Sequence, residues 1–318
     1  MQLIDRYRGA LFGLACGDAL GTTVEFKHPG TFEPVTDIAG GGPFDLKPGQ
    51  WTDDTSMALC LGQSLIQKQE FDPRDQMQRY LRWRNEGYLS STGTCFDIGN
   101  TISESLYRFE MNGDPMAGHR DPRYGGNGSL MRLVPLVLAY QSDPSMAIYL
   151  AGEMSKTTHA APEPVDACRY YTGLIIGALQ GEEKEYLLSP AYCPIKGYWS
   201  DVRLTERIHA VAHGAFKDKS PPAIRGNGYV VNSLEAALWA FCHSDSFEEG
   251  ALLAVNLGDD ADTTGAIYGQ LAGVYYGIGG IPSRWVDIID QPIRFYSLAD
   301  GLLQFSSQLV EQAQCSIA

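Results

Sequence analysis

Residues 257–273 read "LGDDADTTGAIYGQLAG" and set three aspartates within four positions at the head of an apolar run. The run carries Gly265, Gly269 and Gly273, and Gly277 follows at the same interval. Glycine at every fourth position forms a stripe down one helix face, along which a second helix can approach closely. The spacing therefore predicts a central helix over 261–278. Elsewhere apolar residues recur mainly at helical spacing, as at Met57, Leu61 and Leu65. Further helices are predicted over 1–20, 53–69, 73–85, 96–110, 128–140, 144–156, 163–180, 203–215, 230–243, 246–256 and 292–314. Strand alternation between tight turns is lacking, and "RGNGYVV", residues 225–231, is the nearest hairpin signal. The glycine- and proline-rich loops are too short to be linkers, and there is no repeat or low-complexity tail. The expected fold is all-α, a single compact bundle of many helices forming one domain over residues 1–318.

A hydrophobic content of 44% is ample for a buried core. A net charge of −14 argues against nucleic acid and against an anionic membrane, both of which want clustered Lys and Arg. The seven cysteines (Cys16, Cys60, Cys95, Cys168, Cys193, Cys242, Cys315) form no CxxC pair and read as reduced, mostly buried thiols. The first apolar run is short and broken by Gly13 and Gly17, unlike a signal peptide, and Ala15-Cys16 lacks the rest of a lipoprotein signal. Thr263 to Ser283 is uncharged but holds six glycines and Gln270, which fits a buried helix better than a spanning one. A cytoplasmic monomer without a membrane partner is expected.

A second acidic cluster, "WTDDTSMAL" (Trp51–Leu59), also precedes an apolar helical run and is flanked by threonines. Either cluster alone reads as helix capping, because Asp and Thr accept hydrogen bonds from first-turn amides. Together they supply more acids than caps require: Asp53, Asp54, Asp259, Asp260 and Asp262. Residues two apart on a helix point about 200° apart, so Asp260 and Asp262 converge only where a loop enters a helix. Should the clusters face each other, carboxylates about 4 Å apart repel by about 4 kcal/mol per pair at an effective dielectric near 20. Two divalent cations would neutralise four of them, and Thr52 and Thr263 add neutral oxygens. An all-oxygen donor set selects Mg²⁺, Mn²⁺ or Ca²⁺ over zinc.

"GDALGTTVEF" (Gly17–Phe26), "WTDDTSMAL", "GTCFDIGNT" (Gly93–Thr101), "GGNGSLMR" (Gly125–Arg132), "TTHA" (Thr157–Ala160) and "GDDADTTGA" (Gly258–Ala266) follow in order. Together these motifs resemble the ADP-ribosylglycohydrolase family, most closely its dinitrogenase-reductase-activating branch. The resemblance implies an all-α fold with two Mg²⁺ or Mn²⁺ ions in a cleft. It implies Thr52, Asp53, Asp54, Asp260, Asp262 and Thr263 as ligands, with Asp262 bridging. Asp259 falls outside that set and reads as a cap. Glu25 matches the acid that borders the cleft and governs access, while Asp18 orients that loop.

In "YGGNGSLMR", Gly125, Gly126 and Gly128 permit close backbone approach, and a helix starting near Ser129 would present amides to an anion. Without a ligand this is an ordinary turn and cap. The resemblance assigns it, with Asn127, to the pyrophosphate of ADP-ribose, and sets His159 beside the adenosine. Asn100 and Met131, from two of the motifs, complete the substrate-binding set. Asp97 reads by itself as a helix-start cap. In family members acting on arginine an acid here faces the guanidinium, which points to ADP-ribosyl-arginine rather than ADP-ribosyl-serine.

The expected activity is hydrolysis of the N-glycosidic bond to arginine, with Asp54 or Asp97 as acid–base group and Glu25 beside them. The substrate would be an ADP-ribosylated protein or an ADP-ribose-containing small molecule. Other ADP-ribose linkages stay open, as does a non-catalytic binder. An isoprenoid-diphosphate enzyme is a further alternative, although its D-D-x-x-D spacing is missing from "DDAD" and "WTDD". No role follows for the insert from Leu187 to Pro222 or for the tail after Ile281.

Overall fold

A computed structural model of the chain describes residues 1–315; the last three positions of the expected 1–318 domain lie outside the described residues, as does the Cys315 side chain. The described residues form fifteen α-helices and no strand. In chain order they are α1 (Leu3–Gly21), α2 (Asp53–Lys68), α3 (Pro73–Glu86), α4 (Asn100–Asn112) and α5 (Val134–Tyr140). Next come α6 (Pro144–Lys156), α7 (Pro162–Gln180), α8 (Lys184–Leu187), α9 (Tyr198–Asp201) and α10 (Glu206–Ala212). The series ends with α11 (Val230–Cys242), α12 (Phe247–Val255), α13 (Ala261–Tyr276), α14 (Ser283–Ile288) and α15 (Pro292–Cys315). Among the described residues no helix is long and apolar enough to cross a membrane.

The glycine stripe of α13 meets a matching stripe on α1. A Cβ on Gly13 would lie 2.3 Å from the Gly269 carbonyl oxygen, one on Gly17 2.0 Å from that of Gly265, and one on Gly9 2.1 Å from that of Gly273. Each step forward on α1 is a step back on α13, so the two helices run antiparallel with their backbones in contact. Only glycine allows that spacing. The pairing brings the C-terminal end of α1 to the N-terminal end of α13, where Gly21 abuts Ala261 and Asp262.

Around this pair, Phe12 packs on Phe295 and Tyr296 of α15, and Trp51 meets the Phe295 ring edge-on at 5.2 Å. Fully buried Gln270 of α13 accepts the Val134 N–H at 2.8 Å and donates to the carbonyls of Leu130 and Met131. It thereby caps α5 from another helix and ties down the preceding loop.

Two expected helix starts need correction. The helix expected from residue 96 begins at Asn100, with Gly99 at its N-cap, because Asp97 is in the left-handed region at φ 58°. The helix expected from residue 128 begins only at Val134. The Asn127 carbonyl takes the amides of both Leu130 and Met131 and closes a turn there instead. The weak hairpin signal at 225–231 forms no strand among the described residues; its Tyr229 makes one isolated bridge, to Gly126. The six cysteines with described side chains are free; Cys16, Cys60 and Cys168 are buried, and the other three are half-buried.

Candidate metal centre and cleft

The start of α2 is capped from outside. Its N-cap residue Thr52 makes no side-chain cap. Buried Asp18 of α1 instead accepts the N–H of Thr52 at 2.9 Å and of Thr55 at 3.1 Å, and the hydroxyls of both at 3.0 and 2.6 Å. The capping reading of this cluster therefore belongs to Asp18, and Asp53 and Asp54 are released from it. Thr52 Oγ1 also contacts Asp54 Oδ2 and Asp262 Oδ2, each at 3.2 Å, and Thr263 Oγ1 lies 3.3 Å from Asp54 Oδ2. The two helix starts, about two hundred residues apart in sequence, thus share one network.

Oxygens of Glu25, Asp97 and Asp262 lie within 4.8 Å of one another. Among the described residues no Lys, Arg or His pairs with these three or with Asp53, Asp54 or Asp260. Burial and mutual repulsion raise every one of them. Glu25 is pushed up to about 10, first by burial and then by Asp97, Asp260 and Asp54. Asp97 rises to about 7 through burial, Asp260 and Asp18. Burial followed by neighbouring acids also lifts Asp53, Asp54 and Asp262 well above the usual carboxylate range. Among the described residues, buried Glu25 Oε2, Asp54 Oδ1 and Asp262 Oδ1 have no hydrogen-bond partner. Orphaned carboxylate oxygens of this kind are costly unless a cation meets them, so the cluster can hold metal.

The cluster forms part of a cleft of about 980 Å³, lined among others by Glu25, Asp53, Asp97, Asn100, Gly126, Asn127, Gly128, Met131, His159, Asp260 and Thr263. Asn127 Nδ2 donates to Asp260 Oδ2 at 2.7 Å, joining the glycine loop to the acids. Gly125 lies behind, its carbonyl accepting the Val230 N–H and its Cα close to the Tyr229 ring. The Ser129 side chain turns away from the cleft: its hydroxyl accepts from Ser155 at 2.8 Å and from the Cys168 thiol. Asp259 is not a cap either, since it stands in the left-handed region and its side chain faces His28 at 3.4 Å.

His159 is oriented from behind. Arg132 donates to Thr158 Oγ1 at 2.6 Å, and Thr158 Oγ1 lies 2.8 Å from His159 Nδ1. With Thr158 donating to Nδ1, a neutral ring carries its hydrogen on Nε2, the nitrogen beside Gly126 and Gly128. Arg132 itself is fully buried, holds the Gly128 carbonyl at 2.6 Å and sits over the Tyr80 ring. Sequence reasoning gave it no role, although it ends the glycine motif. Phe26, Phe44, Asn227 and Gly228 also line the cleft and were missed. The signal for Phe26 was its place next to Glu25.

A profile of the ADP-ribosylglycohydrolase family matches residues 1–314. The chain belongs to that family. It is 41% identical over 310 residues to the ADP-ribosylarginine hydrolase Tri1 of Pseudomonas putida, covering 98% of this chain and 81% of that protein. It is 32% identical over 293 residues to the ADP-ribosyl-[dinitrogen reductase] glycohydrolase of Rhodospirillum rubrum, covering 91% and 92%. A solved structure described as an ADP-ribosylglycohydrolase-related protein complex superposes with a TM-score of 0.84 at 45% identity, over 96% of this chain and 99% of that one. Membership in the ADP-ribosylglycohydrolase family removes the isoprenoid-diphosphate alternative.

Proposed function

We propose that the chain is a metal-dependent hydrolase that releases ADP-ribose from arginine by cleaving the bond between ribose C1″ and a guanidinium nitrogen. The observation that carries this reading is the Asn127–Asp260 contact at 2.7 Å, which lets one cleft offer a glycine loop and an acidic cluster side by side. The similarity to an ADP-ribosylarginine hydrolase over nearly the whole chain supports the choice of arginine. On this reading one domain acts as a cytoplasmic monomer on an ADP-ribosylated protein or small molecule.

Thr52, Asp53, Asp54, Asp260, Asp262 and Thr263 would hold two divalent cations, Mg²⁺ or Mn²⁺, as befits an all-oxygen donor set. Bound there, the cations supply Lewis acidity and lower the pKa of a water. The glycine loop receives the diphosphate. Among the described residues the amides of Gly128 and Ser129 have no protein acceptor, so they are available to it. His159 offers Nε2–H beside that loop, and Asn100 and Met131 complete the lining. Asp97 borders the cleft whereas Asp54 lies behind its surface, so Asp97 is better placed to face the guanidine and move its proton. Glu25 guards the mouth.

The test is a hydrolysis panel of arginine-, serine- and nucleobase-linked ADP-ribose, comparing wild type with Asp97→Ala and Asp260→Ala. Arginine-linked substrate should turn over, stop in EDTA, and resume with Mn²⁺ or Mg²⁺. Both variants should lose at least about a hundredfold in kcat/KM. Tight binding of ADP-ribose with no hydrolysis of any member would make the protein a binder instead.

A further inference from the structure

The mouth of the cleft presents aromatic rings that neither cation ligation nor the glycine loop uses. Phe26 is 64% exposed, yet its backbone is held in the left-handed region at φ 60°. Its N–H donates to the Asp259 carbonyl at 2.7 Å, and the Asp259 N–H donates to the Lys27 carbonyl at 2.8 Å. Asp259 is itself left-handed at φ 52°. Two non-glycine residues in that region are an unfavourable arrangement that persists only where the surroundings impose it, commonly at ligand sites. The outcome is a phenyl ring held in solvent, adding little to the core.

The rings and the acids alternate. Phe26 follows Glu25 in the chain and Phe96 precedes Asp97. Phe44 lies between them, 6.5 Å from the Phe26 ring edge-on and 5.1 Å from the Phe96 ring. Phe26 and Phe44 line the cleft together with Glu25 and Asp97. The hydroxyls and anionic diphosphate of ADP-ribose give no reason for exposed phenyl rings beside two acids, and its adenine, which does stack on rings, is set beside His159 by the family resemblance. A guanidinium does: it takes carboxylate oxygens in its plane and aromatic rings against its face, and its methylene chain packs on apolar surface.

We infer that Phe26 and Phe44 form the leaving-group subsite, holding the guanidinium and methylenes of the modified arginine and selecting arginine-linked substrate. This inference rests on the arginine reading above. The test uses Mn²⁺-loaded enzyme and the variants Phe26→Leu, Phe44→Leu and Phe26→Tyr, each checked by thermal melting. Turnover of ADP-ribosyl-arginine is measured alongside calorimetric binding of ADP-ribose, which lacks a leaving group. Either Leu variant should lose about fivefold in kcat/KM, with ADP-ribose affinity unchanged and Phe26→Tyr close to wild type. Because Phe26 is exposed, its Leu variant folds independently of how Phe44→Leu behaves. Unchanged turnover in Phe26→Leu, or an equal loss of ADP-ribose affinity, overturns the subsite. Wild-type enzyme inert toward ADP-ribosyl-arginine would instead overturn the arginine reading, a result visible before any variant is made.

Discussion

Asp18 Oδ2 accepts the backbone N–H of Thr55 at 3.1 Å, so a residue of α1 caps a helix that is not its own. That contact links the fold to the chemistry. The glycine contact between α1 and α13 fixes where Asp18 stands, Asp18 fixes the start of α2, and α2 presents Asp53 and Asp54. Replacing Asp18 by alanine leaves two buried amides and the Thr55 hydroxyl without their acceptor, while Thr52 Oγ1 keeps only Asp54 and Asp262. Such groups cost about 1–3 kcal/mol each where water does not reach them. Asp18→Ala should lose at least about 3 kcal/mol of stability in urea titration and bind Mn²⁺ more weakly. Unaltered manganese affinity in a folded variant would sever the proposed link.

The backbone contact itself predicts sharp intolerance of one methyl group. A Cβ on Gly13 meets the Gly269 carbonyl at 2.3 Å, backbone that cannot swing aside. Gly13→Ala should cost about 3 kcal/mol or more, at or beyond the upper end of overpacking penalties. Gly99→Ala, where nothing lies within 4 Å of the added carbon, should cost little. Equal denaturation midpoints for the two variants would contradict the packing.

How much of this could be read from the chain follows from the range of each interaction. Local periodicity placed most helices within a few residues, and both acidic clusters were visible because acids heading an apolar run are unusual. Gly9, Gly13, Gly17 and Gly21 have the same spacing as the α13 stripe. Their pairing with it, however, spans some 250 residues and no local pattern announces it. Gln270 likewise looked like a polar intruder in an apolar helix, whereas it makes three hydrogen bonds to the loop around Leu130 and to α5. The starts at 96 and 128 were misjudged for a related reason. Apolar content suggested helix, while a left-handed Asp97 and the doubly bonded Asn127 carbonyl held those residues in loops.

Burial, with Arg132 adding to it, lowers the His159 pKa from 6.5 to about 3. The unfolded chain therefore binds the proton more readily, so this contribution is complete above pH 6.5 and fades as pH falls toward 3. Between pH 7 and pH 5 the loss should be about 2 kcal/mol. His159→Gln should remove that part of the slope while leaving the carboxylate-driven remainder. If the variant and the wild type show parallel stability profiles over this interval, His159 is not buried in its neutral form.

Crowded carboxylates predict a crossover. Without cations Asp262 repels Glu25, Asp54, Asp97 and Asp260, whereas on the proposed reading it would ligate a cation. Asp262→Asn should therefore melt higher than wild type in chelator and lower in saturating Mn²⁺, by about 1–2 kcal/mol in each direction. A variant less stable under both conditions would mean that the aspartate serves the fold rather than an ion.

On the proposed reading the starts of α2 and α13 jointly bind a pair of cations. Anomalous diffraction at the manganese edge, from crystals grown with Mn²⁺, is the decisive measurement. Two neighbouring peaks are expected within reach of Asp54 and Asp262, with Thr52 and Thr263 turned toward them. Crystals showing no anomalous signal there, with Asp54 and Asp262 still in contact through Thr52, would contradict that reading.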